Sequence, residues 1–222
     1  YELKGFNVRL QTMNRTFTAP AFTPRTESFQ ALFAIQPVPP FSDFNRDGRI
    51  DFLYPVLDGY ATRVYVYLGS SDGTFAVNEV SMPAMRELVY PITGDFNGDG
   101  REDFFLLTFI LTNSSDFVDV FLSDEAGGFT HTSFFQAHKH VGVFRGAEGL
   151  AADLTGDGLD DILMYSESGG ISVSVSAGDG TFLGPYHFAI DVSEGVNLGD
   201  FDGDGDQDIV GISSSDEGLR YY

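Results

Sequence analysis

The sequence predicts an all-β protein assembled from one repeated unit. A nine-residue segment rich in aspartate and glycine occurs four times, with starts separated by 52, 58 and 47 residues. A short apolar run follows each copy, and further downstream lies a segment of alternating apolar residues that ends in a turn. These patterns are typical of β-strands and tight turns. Because 42% of the 222 residues are hydrophobic, the chain can also bury a sizeable core, which excludes intrinsic disorder.

The four segments share the pattern D-x-[NDT]-x-D-G-x-x-D. They are DFNRDGRID at 43–51, DFNGDGRED at 95–103, DLTGDGLDD at 153–161 and DFDGDGDQD at 200–208, and we call them loops one to four. A hard cation such as calcium takes about six to eight oxygen ligands, which the side chains at positions one, three, five and nine and the backbone carbonyl at position seven can supply. Glycine at position six permits the positive φ that turns the chain around an ion.

We expect up to four calcium ions, one in each loop. Calcium is favoured over magnesium because a cage of protein oxygens with backbone carbonyls suits the larger ion. The predicted ligands are Asp43, Asn45, Asp47, Arg49 and Asp51 in loop one, Asp95, Asn97, Asp99, Arg101 and Asp103 in loop two, Asp153, Thr155, Asp157, Leu159 and Asp161 in loop three, and Asp200, Asp202, Asp204, Asp206 and Asp208 in loop four.

These loops have two alternative interpretations, an EF-hand and a hairpin turn without an ion. An EF-hand is excluded because its bidentate glutamate at position twelve is replaced, and the residues found there are Tyr54, Leu106, Met164 and Gly211. Aspartate and glycine also suit solvated hairpin turns without any ion. Four copies with three or four carboxylates each would repel themselves strongly without a counter-ion, which favours metal binding. Loop three carries Thr155 at position three and is expected to be the weakest site.

The residues after each loop predict the rest of the unit. The runs at 52–54, 104–107, 162–164 and 209–210 are expected to be second strands buried on both faces. Strict alternation of apolar residues then predicts third strands with one buried face. Turns such as Ser71–Thr74 and Gly178–Thr181 lead from the third strand to a fourth. The alternating residues are Phe6, Val8 and Leu10; Val64, Val66 and Leu68; Val118, Val120 and Leu122; and Ile171, Val173 and Val175.

Four antiparallel strands in about fifty residues, repeated along the chain, fit a β-propeller blade. The pairing of the aspartate loop with a downstream G-D-G-T-F turn at 178–182 resembles the FG-GAP/VCBS repeats of integrin-α-type propellers, over essentially the whole chain. The resemblance implies rings of roughly six to eight blades. We divide the chain into a partial blade at 1–28, blades at 29–82, 83–138 and 139–190, and a partial blade at 191–222. Because both ends align with a third strand, we expect a segment of a larger ring.

Charge and composition limit the partners. The 33 acidic residues against 12 basic ones give a net charge of −21, which disfavours nucleic acid and anionic lipid. The longest apolar stretch, at 104–111, is too short to cross a membrane. The absence of cysteine excludes disulfide scaffolds, zinc ribbons and thiol catalysis.

Other motifs carry less weight. Residues 69–73 read G-S-S-D-G and match a nucleophile elbow as a string, but they occupy a hairpin position rather than a strand-to-helix turn. His138 and His140 could begin a transition-metal site, although two ligands do not complete one. Asn14 and Asn113 stand in glycosylation sequons.

We therefore expect a calcium-stabilised extracellular β-propeller that acts as a non-enzymatic interaction or structural module. Its protein or carbohydrate partner would bind the face opposite the calcium loops. The segments expected on that face are 57–62, 82–89, 112–116, 138–148 and 166–170. Alternatives are a propeller-type lectin, a shell propeller of a bacterial toxin complex, and an accessory propeller of an enzyme.

Overall fold

The computed structural model describes residues 5–8, 21–24, 41–58, 61–80, 82, 86–110, 115–135, 148–165, 170–192, 194–213 and 219–221. All regular structure in these residues is β-strand, which confirms the predicted all-β class. The described residues contain no helix, and hence none with the length and apolar character needed to cross a bilayer.

The strands form three antiparallel sheets of four strands, one of three and one of two. The two-stranded sheet pairs β1 (Gly5–Val8) with β2 (Ala21–Pro24). Sheet one contains β3 (Phe41–Ser42), β4 (Asp51–Asp58), β5 (Ala61–Gly69) and β6 (Phe75–Val80). Sheet two contains β7 (Arg86–Gly94), β8 (Asp103–Ile110), β9 (Ser115–Ser123) and β10 (Phe129–Phe135).

Sheets three and four continue the series. Sheet three contains β11 (Glu148–Ala152), β12 (Asp161–Tyr165), β13 (Ile171–Ser176) and β14 (Phe182–Phe188). Sheet four contains β15 (Glu194–Gly199), β16 (Asp208–Ile212) and β17 (Leu219–Tyr221). In every sheet the strands pair in sequence order, so each sheet is a meander. Loops one to four join the first and second strands of sheets one to four.

The hydrophobic core lies between neighbouring sheets. One cluster joins sheets one and two through Leu53, Val64, Val66, Phe104, Leu106 and Phe121. A second joins sheets two and three through Ile92, Phe105, Val118, Val120, Ile162 and Met164. A third joins sheets three and four through Leu163, Tyr165, Ile171, Val192 and Val196. Successive residues of a second strand therefore face different neighbours, as with Phe104 toward sheet one and Phe105 toward sheet three.

The prediction for the second strands is confirmed in sheets one to three, because Phe52, Leu53, 104–106 and 162–164 are buried. The prediction of one buried face for the third strands is wrong. In β5 and β9 the intervening residues Tyr65, Tyr67, Asp119 and Phe121 are buried as well. In β9, sheets one and three cover the two faces, even though one face carries the polar Asp119. In β5, Tyr65 and Tyr67 are buried against Phe52 of their own sheet.

Truncation of an inter-sheet side chain should be costly. Phe105 is fully buried and packs edge-on against Phe182 of the next sheet. We expect Phe105→Ala to lower the free energy of unfolding by about 3 to 5 kcal/mol in urea denaturation, since it removes apolar contacts and leaves a cavity. The control Leu183→Ala, at an exposed position of β14, should change it by less than about 0.5 kcal/mol. Equal losses in the two variants would contradict this packing.

Candidate metal centre

The first aspartate of each loop organises the loop backbone around its carboxylate. In loop two, one oxygen of Asp95 accepts the N–H groups of Gly98 at 2.8 Å and Asp99 at 3.1 Å, and the other accepts the N–H of Gly100 at 2.7 Å. Asp153 and Asp200 make the corresponding bonds, and Asp43 bonds positions five and six of loop one. The loop therefore wraps around the position-one side chain.

The glycines allow this wrapping. The position-six glycines have positive φ as predicted, from 79° to 97°. Position four is also left-handed, with Gly98 at 73° and Arg46 at 56°. Loops two, three and four have glycine at position four, which is the sequence signal for this left-handed conformation. Loop one has arginine there instead.

The ninth aspartate is the first residue of the second strand and ties three chain segments together. Asp103 accepts the N–H of Phe96, at loop position two, at 3.0 Å and the N–H of Ser123, at the end of β9, at 2.8 Å. Asp51 and Asp161 make the same pair of bonds, to Phe44 and Gly69 and to Leu154 and Ser176. The third-strand donors are backbone groups, and sequence reasoning missed them because a backbone N–H has no side-chain signature.

These ninth aspartates are buried, and burial opposes their negative charge. Desolvation raises the pKa of Asp103 to about 7, although its two backbone bonds act in the opposite direction. Desolvation also raises the pKa of Asp51 and of Asp161. A nearby cation would offset this unfavourable burial of charge.

Loops one and two bring their predicted side chains together in the same way. The amide of Asn45 donates to Asp47 at 3.0 Å, and the amide of Asn97 donates to Asp99 at 3.1 Å. The guanidinium at position seven contacts the same carboxylate, Arg49 with Asp47 and Arg101 with Asp99. Position seven, predicted only as a carbonyl ligand, thus also places a positive charge beside the position-five aspartate.

Loops three and four contain no arginine. In loop three the N–H of Thr155 lies 3.3 Å from Asp153, and the N–H of Leu159 donates to Asp157 at 2.9 Å. In loop four the N–H of Asp204 donates to Asp202 at 3.1 Å, and the N–H of Asp206 donates to Asp204 at 3.0 Å.

Loop four shows the tightest grouping of acidic ligands. Carboxylate oxygens of Asp200, Asp202 and Asp208 lie within 4.8 Å of one another. Oxygens bound to one calcium ion at about 2.4 Å are at most about 4.8 Å apart, so these three groups fit a common ion. Among the described residues, Asp200, Asp202 and Asp208 are the one set of three acidic or histidine side chains whose ligand atoms all lie within 4.8 Å of one another.

A second candidate site is a groove between β6 of sheet one and the β9–β10 hairpin of sheet two. It measures about 570 Å³, and we call it the interblade groove. The ring of His131 stacks on Phe121 at 4.4 Å, and its Nε2 lies 2.9 Å from a carboxylate oxygen of the buried Asp119. The lining residues are Val77, Asn78, Glu79, Val80, Phe121, Gly127, Gly128, Phe129 and His131. Sequence reasoning missed this pair, whose signal was an aspartate inside the alternating run 118–122.

The remaining predictions fall elsewhere. Residues 69–73 form a hairpin turn, in which the N–H of Ser70 donates to the carbonyl of Thr74 at 2.8 Å. His138, His140, Asn14 and Asn113 lie outside the described residues, as do parts of the predicted partner face at 59–60, 83–85, 112–114, 138–147 and 166–169.

The buried and the exposed aspartates should differ in their dependence on metal. Asp103→Asn turns an NH₂ group toward a backbone N–H, so we expect a loss of about 1 to 3 kcal/mol in the free energy of unfolding even in EDTA. In Asp202→Asn the exposed Asp202 keeps an acceptor oxygen, and only the calcium-dependent part of the stability should fall. Urea denaturation with and without calcium measures both, and a metal-independent loss in Asp202→Asn would contradict the distinction.

Comparison with known proteins agrees with this architecture. The FG-GAP-like repeat family matches residues 43–106 and 153–211, which together make up more than half of the chain. Both matched stretches begin at the first aspartate of a loop. No curated protein matches the sequence.

Solved structures share the fold at low identity. A lectin from Agrocybe aegerita, described as recognising non-reducing terminal N-acetylglucosamine, superimposes with a TM-score of 0.60 and 18% identity, over 94% of this chain and 55% of the lectin chain. A protein from Lactobacillus plantarum gives a TM-score of 0.50 and 15% identity, over 97% of this chain and 60% of that one. This chain spans little more than half the length of these structures. It belongs to the FG-GAP-like repeat family, and its four-stranded sheets have the architecture of β-propeller blades.

Proposed function

We propose that the chain is a calcium-stabilised β-propeller that acts outside the cell as a non-enzymatic binding module. The observation that carries this proposal is the common grouping of Asp200, Asp202 and Asp208 in a loop whose pattern occurs four times. Carboxylate and carbonyl oxygens are the ligands that calcium prefers. We propose an extracellular location because of the loop type, since the calcium sites of extracellular modules have dissociation constants of about 0.1 to 1 mM.

The proposed role of the metal is structural. Positions one, three, five and nine would hold each ion with the carbonyl of position seven, and calcium would supply the positive charge that the clustered carboxylates lack. The loop residues themselves would fix the shape of the loop and its connection to the sheet. Position one shapes the loop, and position nine connects the loop to the end of the third strand through buried hydrogen bonds. A filled loop would therefore hold one end of the blade rigid.

The partner and the full assembly are also part of the proposal. The loops opposite the calcium loops, such as the β4–β5 connection near Asp58 and Ala61, would present the binding surface. We propose that the sheets form part of a larger ring, consistent with the greater length of the matched structures. A non-enzymatic role is supported by the hairpin geometry of residues 69–73.

Calcium should stabilise the fold by linkage, because an ion that binds only the folded chain shifts the equilibrium toward it. At a free concentration about 100-fold above the dissociation constant, one site contributes about 2.7 kcal/mol. We expect calcium to raise the thermal midpoint by roughly 5 to 10 °C over the EDTA-treated chain, and magnesium much less. A midpoint that is indifferent to calcium and EDTA would refute the metal proposal.

Carbohydrate binding in the interblade groove is a second candidate function. A sugar ring with hydroxyl groups and one apolar face suits a site that combines aromatic rings with hydrogen-bonding groups. Here the aromatic rings are those of Phe129 and His131, which lie beside Asn78 and Glu79, while the buried Phe121 supports His131 from behind. The imidazole of His131 is held by the buried Asp119, and Asn78 is held by the carbonyl of Gly127 at 2.8 Å. The groove is thus ordered before any ligand arrives. The fold similarity to a lectin adds support of a general kind.

A glycan array would test this second function. We expect His131→Ala to weaken binding of a captured glycan by at least about tenfold, since it removes both a stacking surface and a polar group. His187→Ala, at an exposed position of β14, is the matched control, and Asp202→Asn tests dependence on the calcium loops. Both should retain binding. Binding that survives His131→Ala, or an array without any bound glycan, would count against the groove.

A further inference from the structure

Loops two and three are joined directly by one residue, Asp160. Its backbone N–H donates to the carbonyl of Asp95 at 2.9 Å, and its carboxylate accepts the N–H of Asp95 at 2.8 Å. Asp95 is the position-one residue of loop two, whose carboxylate organises that loop. Both backbone groups of this residue are therefore held by a residue of the neighbouring loop.

The surrounding residues are shaped for this contact. A Cβ atom on Gly94 would lie 2.9 Å from a carboxylate oxygen of Asp160, so glycine is needed for the close approach. A Cβ atom on Gly98 would likewise lie 2.9 Å from the side chain of Leu159. Loop three thus packs against loop two at two points, before and after Asp95.

This contact is specific to one pair of loops. Asp160 occupies position eight, which is not a ligand position and which the repeat pattern leaves open. Among the described residues at position eight, Ile50 and Gln207 are exposed, whereas Glu102 and Asp160 are partly buried, and it is Asp160 that bonds the first aspartate of a neighbouring loop. Loops one and two are linked by a different group, the guanidinium of Arg46, which donates to the carbonyl of Asp99 at 3.3 Å.

We infer that Asp160 is a positioning residue that couples loops two and three, so that calcium binding in either loop raises the affinity of the other. The inference rests on the proposed calcium binding. An ion bound by Asp161 in loop three would restrain the neighbouring Asp160, and so favour the conformation in which Asp160 holds the backbone of Asp95. By thermodynamic reciprocity, an ion in loop two has the same effect on loop three.

Carboxylates lie between the two loops and bear on the repulsion between two bound ions. Two ions in adjacent loops repel each other, but Asp160 interacts electrostatically with both Asp95 and Asp153, and Glu102 interacts with Asp160 and Asp95. These carboxylates add negative charge between the two loops. They would offset part of the repulsion between two bound ions.

Site-resolved calcium titration of the full chain by NMR tests the inference. The N–H of Gly100 donates to Asp95 and that of Gly158 donates to Asp153, so each amide signal reports its own loop. Asp99→Ala removes a ligand of loop two but leaves the contact between Asp95 and Asp160. We expect it to raise the calcium midpoint of the Gly158 signal about fivefold, the lower end of typical allosteric couplings.

The coupling should depend on the side-chain acceptor oxygen of Asp160. In Asp160→Ala, adding Asp99→Ala should leave the Gly158 midpoint unchanged, whereas Asp160→Asn retains an acceptor oxygen and should retain the coupling. Gln207→Ala, at the same position of loop four, is the matched control and should retain it too. Coupling that persists in Asp160→Ala, or is lost in Asp160→Asn, overturns the inference.

Failure of the inference can be told apart from failure of the calcium proposal. If the Gly100 and Gly158 signals both respond to calcium but titrate independently in the unmodified chain, the coupling is wrong and calcium binding stands. If neither signal responds at millimolar calcium, the proposed calcium binding fails, and the coupling fails with it.

Discussion

In sheets one to three, a buried carboxylate that accepts backbone hydrogen bonds on both oxygens holds the repeat together. In sheet two, Asp103 connects the loop at Phe96 to the end of β9 at Ser123, and it begins β8 itself. Because Asp103 is buried, losing either bond would leave an N–H group unpaired away from water. The same carboxylate interacts with Asp95 and Asp99. Blade geometry and the proposed cation binding would therefore depend on one group.

The packing of the sheets determines which strand positions can hold polar side chains. In sheets two and three the second strands are apolar because the sheets on both sides cover them, and their side chains build the core clusters. The third strands accept polar side chains at some positions between the alternating apolar residues. The position held by Asp119 in sheet two is occupied by Tyr65 in sheet one and Ser172 in sheet three, all of them buried. An unchanged scaffold thus carries a different side chain in each blade.

The strong negative charge of the chain is best understood through the loops. Their carboxylates are paired with backbone N–H groups, with Arg49 or Arg101, and in the proposed state with calcium. Much of the charge is therefore local and internally organised rather than a diffuse acidic surface. Asp160 extends this organisation beyond the ligand positions, since its two hydrogen bonds to Asp95 connect loops two and three.

The amino-acid pattern was enough to predict the repeat, the strand order within each blade and the four loops, because oxygen ligands, left-handed glycines and buried strands each demand particular residue types. Which loops touch, and which face of a strand holds a candidate functional side chain, depended on how the sheets pack. The donors to Asp103 and the contacts of Asp160 are backbone groups, which any residue provides, and the pairing of His131 with Asp119 depends on strand register. Such contacts are set by the positions of neighbouring strands and sheets, so the pattern along one chain does not reveal them.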